Sequence, residues 1–254
     1  MNQAIDNPQS DNGDHTPHTP PAPTLTRTTA LLEVLLCSGF PTQIAVIGVL
    51  QALGLVPQDA QGRLSIVFVM ALSLVDALLV VGLVLLFLRA NREQARNVLA
   101  RRPHGREVAL GFLLIPGAFI LALLVLGTIL TVAPWLRNVP RNPFEDLLTS
   151  DVNRLLFAVV VIIAGGLREE VQRAFILHRF EQRLGGALLG LTLFSLVFGL
   201  GHLSQGQDVA VATGTLGAFW GATYLWRRSI VAPAISHAGF NVLEIVRHTV
   251  MSGA

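Results

Sequence analysis

Charge is scarce in this 254-residue chain: Asp, Glu, Lys and Arg together make up 13% of it. A soluble domain ordinarily carries about 25%, so the chain lacks the surface a water-soluble globule needs. Lysine is absent, and all 18 cationic residues are arginines. Cysteine occurs once, at Cys37, which excludes an intrachain disulfide framework. Aromatic residues make up only 7%, and the net charge is +2 despite a pI near 9.4. The arginines lie between apolar runs rather than on a stripe interleaved with aromatics, which excludes a nucleic-acid partner.

What is present is apolar side chain. Hydrophobic residues make up 52% and the mean hydropathy is +0.59, which excludes a disordered or collagen-like chain and predicts an all-α polytopic membrane protein. Residues 1–27 differ: rich in Pro, Asn, Asp and Thr, they read as a disordered tail with no signal-peptide pattern. Residues 28–254 read as one transmembrane helical domain. Crossing about 30 Å of hydrocarbon takes roughly 20 mostly apolar residues. Seven stretches qualify: 29–56, 65–88, 108–136, 153–180, 185–203, 208–226 and 230–250. The first and third are long enough to tilt or break, at Gly39-Phe40-Pro41 and Pro116-Gly117, and a break would turn seven helices into eight. Gly186-x-x-x-Gly190 and Gly217-x-x-x-Gly221 offer small-residue faces for close helix contact. No internal repeat suggests the duplicated halves of many transporters.

The arginines set an orientation. The 89–106 connection holds Arg89, Arg92, Arg96, Arg101, Arg102 and Arg106, the 179–184 turn Arg179 and Arg183, and the 227–229 turn Arg227 and Arg228. The alternate connections are poorer in arginine or offset it with Glu145 and Asp146. Every second connection is thus the basic one, which predicts a cytoplasmic N-terminus and cytoplasmic basic turns. The arginine-only cation set with abundant Ala, Leu and Gly points to a GC-rich bacterial genome and so to a bacterial inner membrane.

Ionisable residues inside a membrane cost at least about 2.5–3.5 kcal/mol each on insertion scales. The fourth stretch nevertheless carries Arg168-Glu169-Glu170-Val171-Gln172-Arg173 between apolar runs. Glu169 and Glu170 precede Arg173 by four and three residues, so one guanidinium can reach both carboxylates. The following helix carries Phe198-x-x-x-His202 and the last one His237-x-x-x-Asn241, each pair on one helix face. With the hairpin turn at Gly185 and about 1.5 Å of rise per residue, Glu169 lies roughly 24 Å before the turn and His202 roughly 26 Å after it. Adjacent antiparallel helices would hold the two at one depth. By the same ruler His237 and Asn241 lie shallower, unless the chain bends at Pro233 or enters without spanning.

A buried carboxylate can act as general base toward water, a histidine can hold that water, and a histidine with an asparagine can donate hydrogen bonds to an oxyanion. Together these are the components for hydrolysing a peptide bond without a covalent intermediate. No Ser-His or Cys-His pairing, Gly-x-Ser-x-Gly or His-Glu-x-x-His is present. A divalent metal on Glu169, Glu170, His202 and His237 stays open as an alternative, as does a purely structural histidine.

Glu-Glu-x-x-Arg, then Phe-x-x-x-His, then His-x-x-x-Asn, in order on three late helices, resembles the CAAX protease and bacteriocin-processing (CPBP, or Abi) family of intramembrane glutamic endopeptidases. The resemblance covers residues 150–245. It implies that Glu169 activates water, His202 helps to hold it, His237 and Asn241 form the oxyanion hole, Glu170 and Arg173 order the site, and Phe198 shapes the pocket. It implies no cofactor under a glutamic mechanism, and as substrate a membrane-associated protein or peptide, lipidated or not. The family pattern commonly places its arginine five residues after the first glutamate, where this chain has Ala174, with Arg173 one place earlier.

Asp76, mid-helix in the second stretch, reads as a structural partner for Arg168, while Glu33, and Glu244 with Arg247, read as end-of-helix or i,i+3 pairs. The expected function is therefore intramembrane peptide hydrolysis by glutamate-activated water. The alternatives are a non-catalytic scaffold or immunity factor of the same fold, or a proton-coupled transporter.

Overall fold

A computed structural model describes residues 25–101 and 104–251; residues 1–24 of the expected tail lie outside them. Helices occupy all seven apolar stretches, and no strand forms among the described residues. The first stretch is two helices, α1 (Arg27–Leu36) and α2 (Phe40–Ala52). They part where expected, because Gly39 adopts a left-handed φ of 87° and Pro41 lies in the first turn of α2. A long α3 (Ile66–Ala90) and a short α4 (Ala95–Leu99) follow, then α5 (His104–Val132). At Pro116-Gly117, where a tilt or a break was expected, the chain does not break: α5 runs unbroken through Pro116.

The fourth stretch is one rod in three parts: α6 (Asp151–Val160), a π-helical segment (Val161–Arg168) and α7 (Glu169–Arg183). α8 (Ala187–Leu200), α9 (Gln207–Arg227) and α10 (Val231–Met251) complete the bundle. α10 packs chiefly on α5 and on the π segment, and α8 packs on α9.

Among the described residues three helical stretches are long and apolar enough to cross a membrane: Arg27–Ala52, Ile66–Ala90 and Gly105–Val132. The later helices miss that threshold for a physical reason. α8 is apolar but short, and α7, α9 and α10 spend helix positions on buried polar groups, among them Glu170, Gln172, Arg173, Asp208, Ser236 and His237.

The basic connections meet at one end of the bundle. Leu99 and Arg101 exchange backbone hydrogen bonds with Ile230 and Arg228, Arg228 pairs with Glu181, and Arg179 pairs with Glu93. At the opposite end Asn142 meets Gln205, and Leu64 donates its backbone N–H to Asp146.

Buried polar pairs tie the early helices to α7. Asp76 on α3 takes Arg168 as its ion-pair partner and also accepts from Thr42 of α2. Gln172 accepts from Arg168 at 3.1 Å and donates at 2.7 Å to the Cys37 carbonyl, which the break between α1 and α2 has freed. Glu33 departs from expectation. It is buried within α1, pairs with Arg179 and accepts from Asn91 at 2.9 Å, because that face of α1 packs on α7. Glu244 and Arg247 do form the expected i,i+3 pair at 2.8 Å.

Candidate active site

The π segment carries the chain into the Glu169-Glu170 pair, and its glycines let α10 approach. A Cβ on Gly166 would lie 2.6 Å from the Cβ of Ala238, and one on Gly165 would lie 2.6 Å from Asn241 Nδ2. Only a bare backbone fits there, so the two rods close together with Asn241 filling the space beside Gly165.

Gly165 thus lies opposite Asn241, Gly166 opposite Ala238 and Glu170 opposite His237. In that antiparallel register α10 starts level with the middle of α7, well short of the Gly185–Gly186 turn. This removes the depth mismatch read from the sequence. No bend at Pro233 is required: Pro233 sits in the first helical turn, where a missing N–H is tolerated.

His237 is the hub. Its Nδ1 lies 2.9 Å from Glu170 Oε1 and its Nε2 3.7 Å from Glu169 Oε2. The first contact is a hydrogen bond in which the imidazole donates to the carboxylate. The second is too long for one, yet aims nitrogen and oxygen at a common point. The carboxylates differ in access: the Glu170 side chain is 1% exposed and that of Glu169 20%.

Arg173 bonds Glu170, three residues before it, rather than Glu169. The reach to both carboxylates expected from spacing is not realised, because Glu170 points inward with Arg173 while Glu169 turns toward the opening. Arg173 is fully buried, and its Nε and Nη2 have no hydrogen bond among the described residues. Aromatic faces surround its charge instead: Phe198 at 5.0 Å, Phe194 at 5.3 Å and Trp220 at 5.9 Å from ring centroid to guanidinium carbon.

His202 follows the last turn of α8, half-buried. Its Nδ1 lies 2.8 Å from the Phe198 carbonyl oxygen. A carbonyl can only accept, so Nδ1 carries hydrogen and Nε2 of the neutral ring presents its lone pair. Phe198 lies between the two histidines, with ring centroids 5.0 Å from His202 and 6.2 Å from His237. No hydrogen bond or ion pair among the described residues joins His202 to Glu169, so the equal depth inferred from helical rise is not a direct contact.

Sequence reasoning missed Trp220. Its indole stacks on His237 and donates to Ser236 Oγ at 3.2 Å. The available signal was its place between Gly217 and Gly221. A Cβ on Gly217 would meet Phe198 at 2.9 Å, and one on Gly221 would meet Leu191 at 2.4 Å and Arg173 at 3.3 Å. The small-residue face of α9 therefore seats the aromatic wall of the cluster. Gly190 works similarly, leaving room for Phe180, whereas Gly186 supplies a left-handed φ of 100° at the turn.

Among the described residues no group of three or more His, Cys, Asp or Glu side chains is arranged to hold a metal ion. The set Glu169, Glu170, His202 and His237 does not fit one: Glu170 Oε1 is already shared by Arg173 and His237, and a buried guanidinium beside it opposes a second cation. What the structure brings together is one partly exposed carboxylate, Glu169, beside the His237 imidazole that Glu170 holds, with Phe198 between that ring and His202.

No curated protein and no solved structure matches the chain. Residues 151–243, which run from α6 into α10 and contain every side chain of the cluster, match the family model described as Rce1-like, type II CAAX prenyl endopeptidase Rce1-like, and over that segment the chain is similar to this family.

Proposed function

We propose that the protein is an intramembrane endopeptidase that hydrolyses a peptide bond of a membrane-associated protein or peptide with water activated by Glu169. The observation that carries this reading is the unequal carboxylate pair around His237, one oxygen bound and buried, the other accessible. Glu169 takes a proton from water, whose oxygen adds to the peptide carbonyl, and the His202 Nε2 lone pair holds the second water hydrogen. His237 and Asn241 donate to the developing oxyanion. Collapse of the tetrahedral intermediate breaks the C–N bond, and the proton held by Glu169 passes to the leaving amine. Glu170 and Arg173 fix the His237 ring, and Phe198 and Trp220 exclude bulk water. All seven helical stretches cross the membrane, with the basic end cytoplasmic and the opened bond in the cytoplasmic half.

The test is a quantitative survey of new protein termini in cells carrying wild type or Glu169→Gln at matched folded abundance. Termini present with wild type and missing with the variant support proteolysis and name its substrates. If every terminus survives the substitution while the wild-type protein is functioning, the glutamate mechanism fails and a scaffold of the same fold takes its place.

A further inference from the structure

Threonine hydroxyls in the helices share one habit, and Thr213 breaks it. Thr128, Thr131, Thr192, Thr215, Thr223 and Thr249 each donate to the carbonyl four residues earlier. That bond satisfies a hydroxyl in apolar surroundings, where an unpaired one is costly. Beyond the first turn of a helix, Thr213 on α9 is the exception among the described residues: its hydroxyl makes no hydrogen bond.

Its place on α9 gives the exception meaning. Thr213, Gly217, Trp220 and Tyr224 recur at i, i+4, i+7 and i+11 and form one stripe. That stripe faces the cluster, since a Cβ on Gly217 would lie 2.9 Å from Phe198 and Trp220 stacks on His237. Val211, Ala222 and Trp226, on the opposite stripe, are exposed. Gly217, Trp220 and Tyr224 are buried, yet Thr213 in line with them is only half-buried. An inward residue stays accessible where the space before it is unfilled.

The same space lies before His202. α8 and α9 are antiparallel neighbours joined through the Leu203–Gln205 turn. Phe198 meets Gly217, so the residue one turn after Phe198 stands opposite the residue one turn before Gly217. Those two are His202 and Thr213. His202 is also half-buried, with Nδ1 on the Phe198 carbonyl and Nε2 without a partner among the described residues. A hydroxyl and an imidazole nitrogen thus face one hollow with their hydrogen-bonding capacity unfilled, which calls for a group from outside the chain.

We infer that Thr213 is a further substrate-binding residue, whose hydroxyl hydrogen-bonds the main chain of an extended peptide. A hydroxyl both donates and accepts, so it serves a peptide carbonyl or N–H of any sequence. Thr213 precedes Trp220 by seven residues, roughly 10 Å along the helix, which an extended strand covers in about three residues. The contact lies that far from the bond opened beside His237. The inference rests on the proteolytic reading and gives its substrate a main-chain anchor remote from the reacting atoms.

Thr213→Val keeps the side-chain shape and removes the hydroxyl, and Thr213→Ser keeps the hydroxyl. Thr215→Val removes a back-bonded hydroxyl from the Val211 stripe at nearly the same depth. Termini that depend on Glu169 are measured in cells carrying each variant, and a synthetic peptide spanning one of them gives KM and kcat with purified protein in nanodiscs. We expect Thr213→Val to raise KM about three- to tenfold, the worth of one neutral hydrogen bond, with kcat nearly unchanged. Its unfolding temperature should equal or exceed that of wild type, because an unpartnered hydroxyl is lost. Thr213→Ser and Thr215→Val should keep the wild-type KM. An unchanged KM in Thr213→Val overturns the contact, and so does a loss of turnover that comes with a lower unfolding temperature, which assigns Thr213 to packing.

A second measurement needs no cleavage. On a Cys37→Ala background, Thr213→Cys and Thr215→Cys in nanodiscs are treated with a trimethylammonium methanethiosulfonate. Thr213→Cys should react about tenfold faster or more, because the reacting thiolate forms in water and not in lipid. Equal rates show that no hollow lies before Thr213 and overturn the inference. If no terminus depends on Glu169, the proteolytic reading itself fails and the substrate contact falls with it, a result told apart because Thr213→Cys still reacts fast.

Discussion

The imidazole of His237 lies flat on the indole of Trp220, with ring centroids 3.7 Å apart and planes within 16° of each other. Glu170 fixes the same ring at its edge through Nδ1 at 2.9 Å. Face and edge together leave one rotamer, the one that turns Nε2 toward Glu169. Trp220→Phe keeps an aromatic face and loses the bond to Ser236. It should cost about 1 kcal/mol of stability and lower kcat more than it changes KM. Trp220→Ala should cost about 3–5 kcal/mol. Thermal unfolding in detergent beside cleavage assays on an identified substrate measures both.

The two adjacent glutamates should separate stability from activity. Glu170→Gln leaves the buried Arg173 without its counter-charge and should cost about 3–5 kcal/mol. Glu169→Gln touches a partly exposed group and should stay within about 0.5 kcal/mol of wild type while abolishing hydrolysis. Unfolding temperatures of the two purified variants decide it. A less stable Glu169→Gln would mean the structural and reactive carboxylates are exchanged.

Asp76→Asn strips Arg168 of its carboxylate partner deep between α3 and the π segment. A loss of about 3–5 kcal/mol is expected, with much of it recovered by Asp76→Leu combined with Arg168→Met, which removes both charges. A double-mutant cycle on unfolding free energy gives the coupling. A coupling near zero would show that the pair does not hold α3 to the π segment.

Glycine substitutions should report on Asn241. Gly165→Ala places a methyl group 2.6 Å from Asn241 Nδ2, whereas a Cβ on Gly48 meets nothing within 4 Å. Gly165→Ala should reduce turnover with a modest stability loss. Gly48→Ala should leave activity intact and slightly strengthen α2, by the roughly 1 kcal/mol difference in helix propensity. Normal turnover in Gly165→Ala would remove Asn241 from the reaction.

Acid should loosen the basic end. Burial pushes the Glu93 carboxyl up, but the His178 hydrogen bond and the Arg179 guanidinium outweigh it and hold the group below its ordinary 4.5. A depressed carboxylate contributes stability that is fully present above its unfolded value and is lost as pH falls through its folded one. Unfolding temperature should therefore decline below about pH 4.5, and Glu93→Gln should flatten that decline. An unchanged acid limb in the variant would show that Glu93 does not tie the α3–α4 connection to α7.

Much of the fold was legible because its signals are local. Long apolar runs, arginine-rich turns and the Gly39-Phe40-Pro41 break each depend on a few neighbouring residues, and each maps onto a helix, a bundle end or a helix boundary in the structure. Asp76 with Arg168 was legible for a different reason: two opposite charges isolated in apolar surroundings have few other partners to find. Of the tilt or break read at Pro116, the break is absent because α5 absorbs one proline without parting. Glu33 misled because its position in α1 says nothing about which helix faces it.

The sequence by itself determined the chemistry available: Glu169, Glu170, Arg173, Phe198, His202, His237 and Asn241, on three successive rods, with too few charges elsewhere for a soluble fold. Only the tertiary structure decided how those groups divide. Helical spacing lets Arg173 reach both glutamates, and it is the packing of α7 against α8 and α9 that turns it to Glu170 alone. The stacking of Trp220 on His237 and the place of Asn241 beside Gly165 each link residues on different helices. Periodicity fixes the face of one helix, whereas the rotation and depth of its neighbour are set by side-chain volumes meeting across the interface.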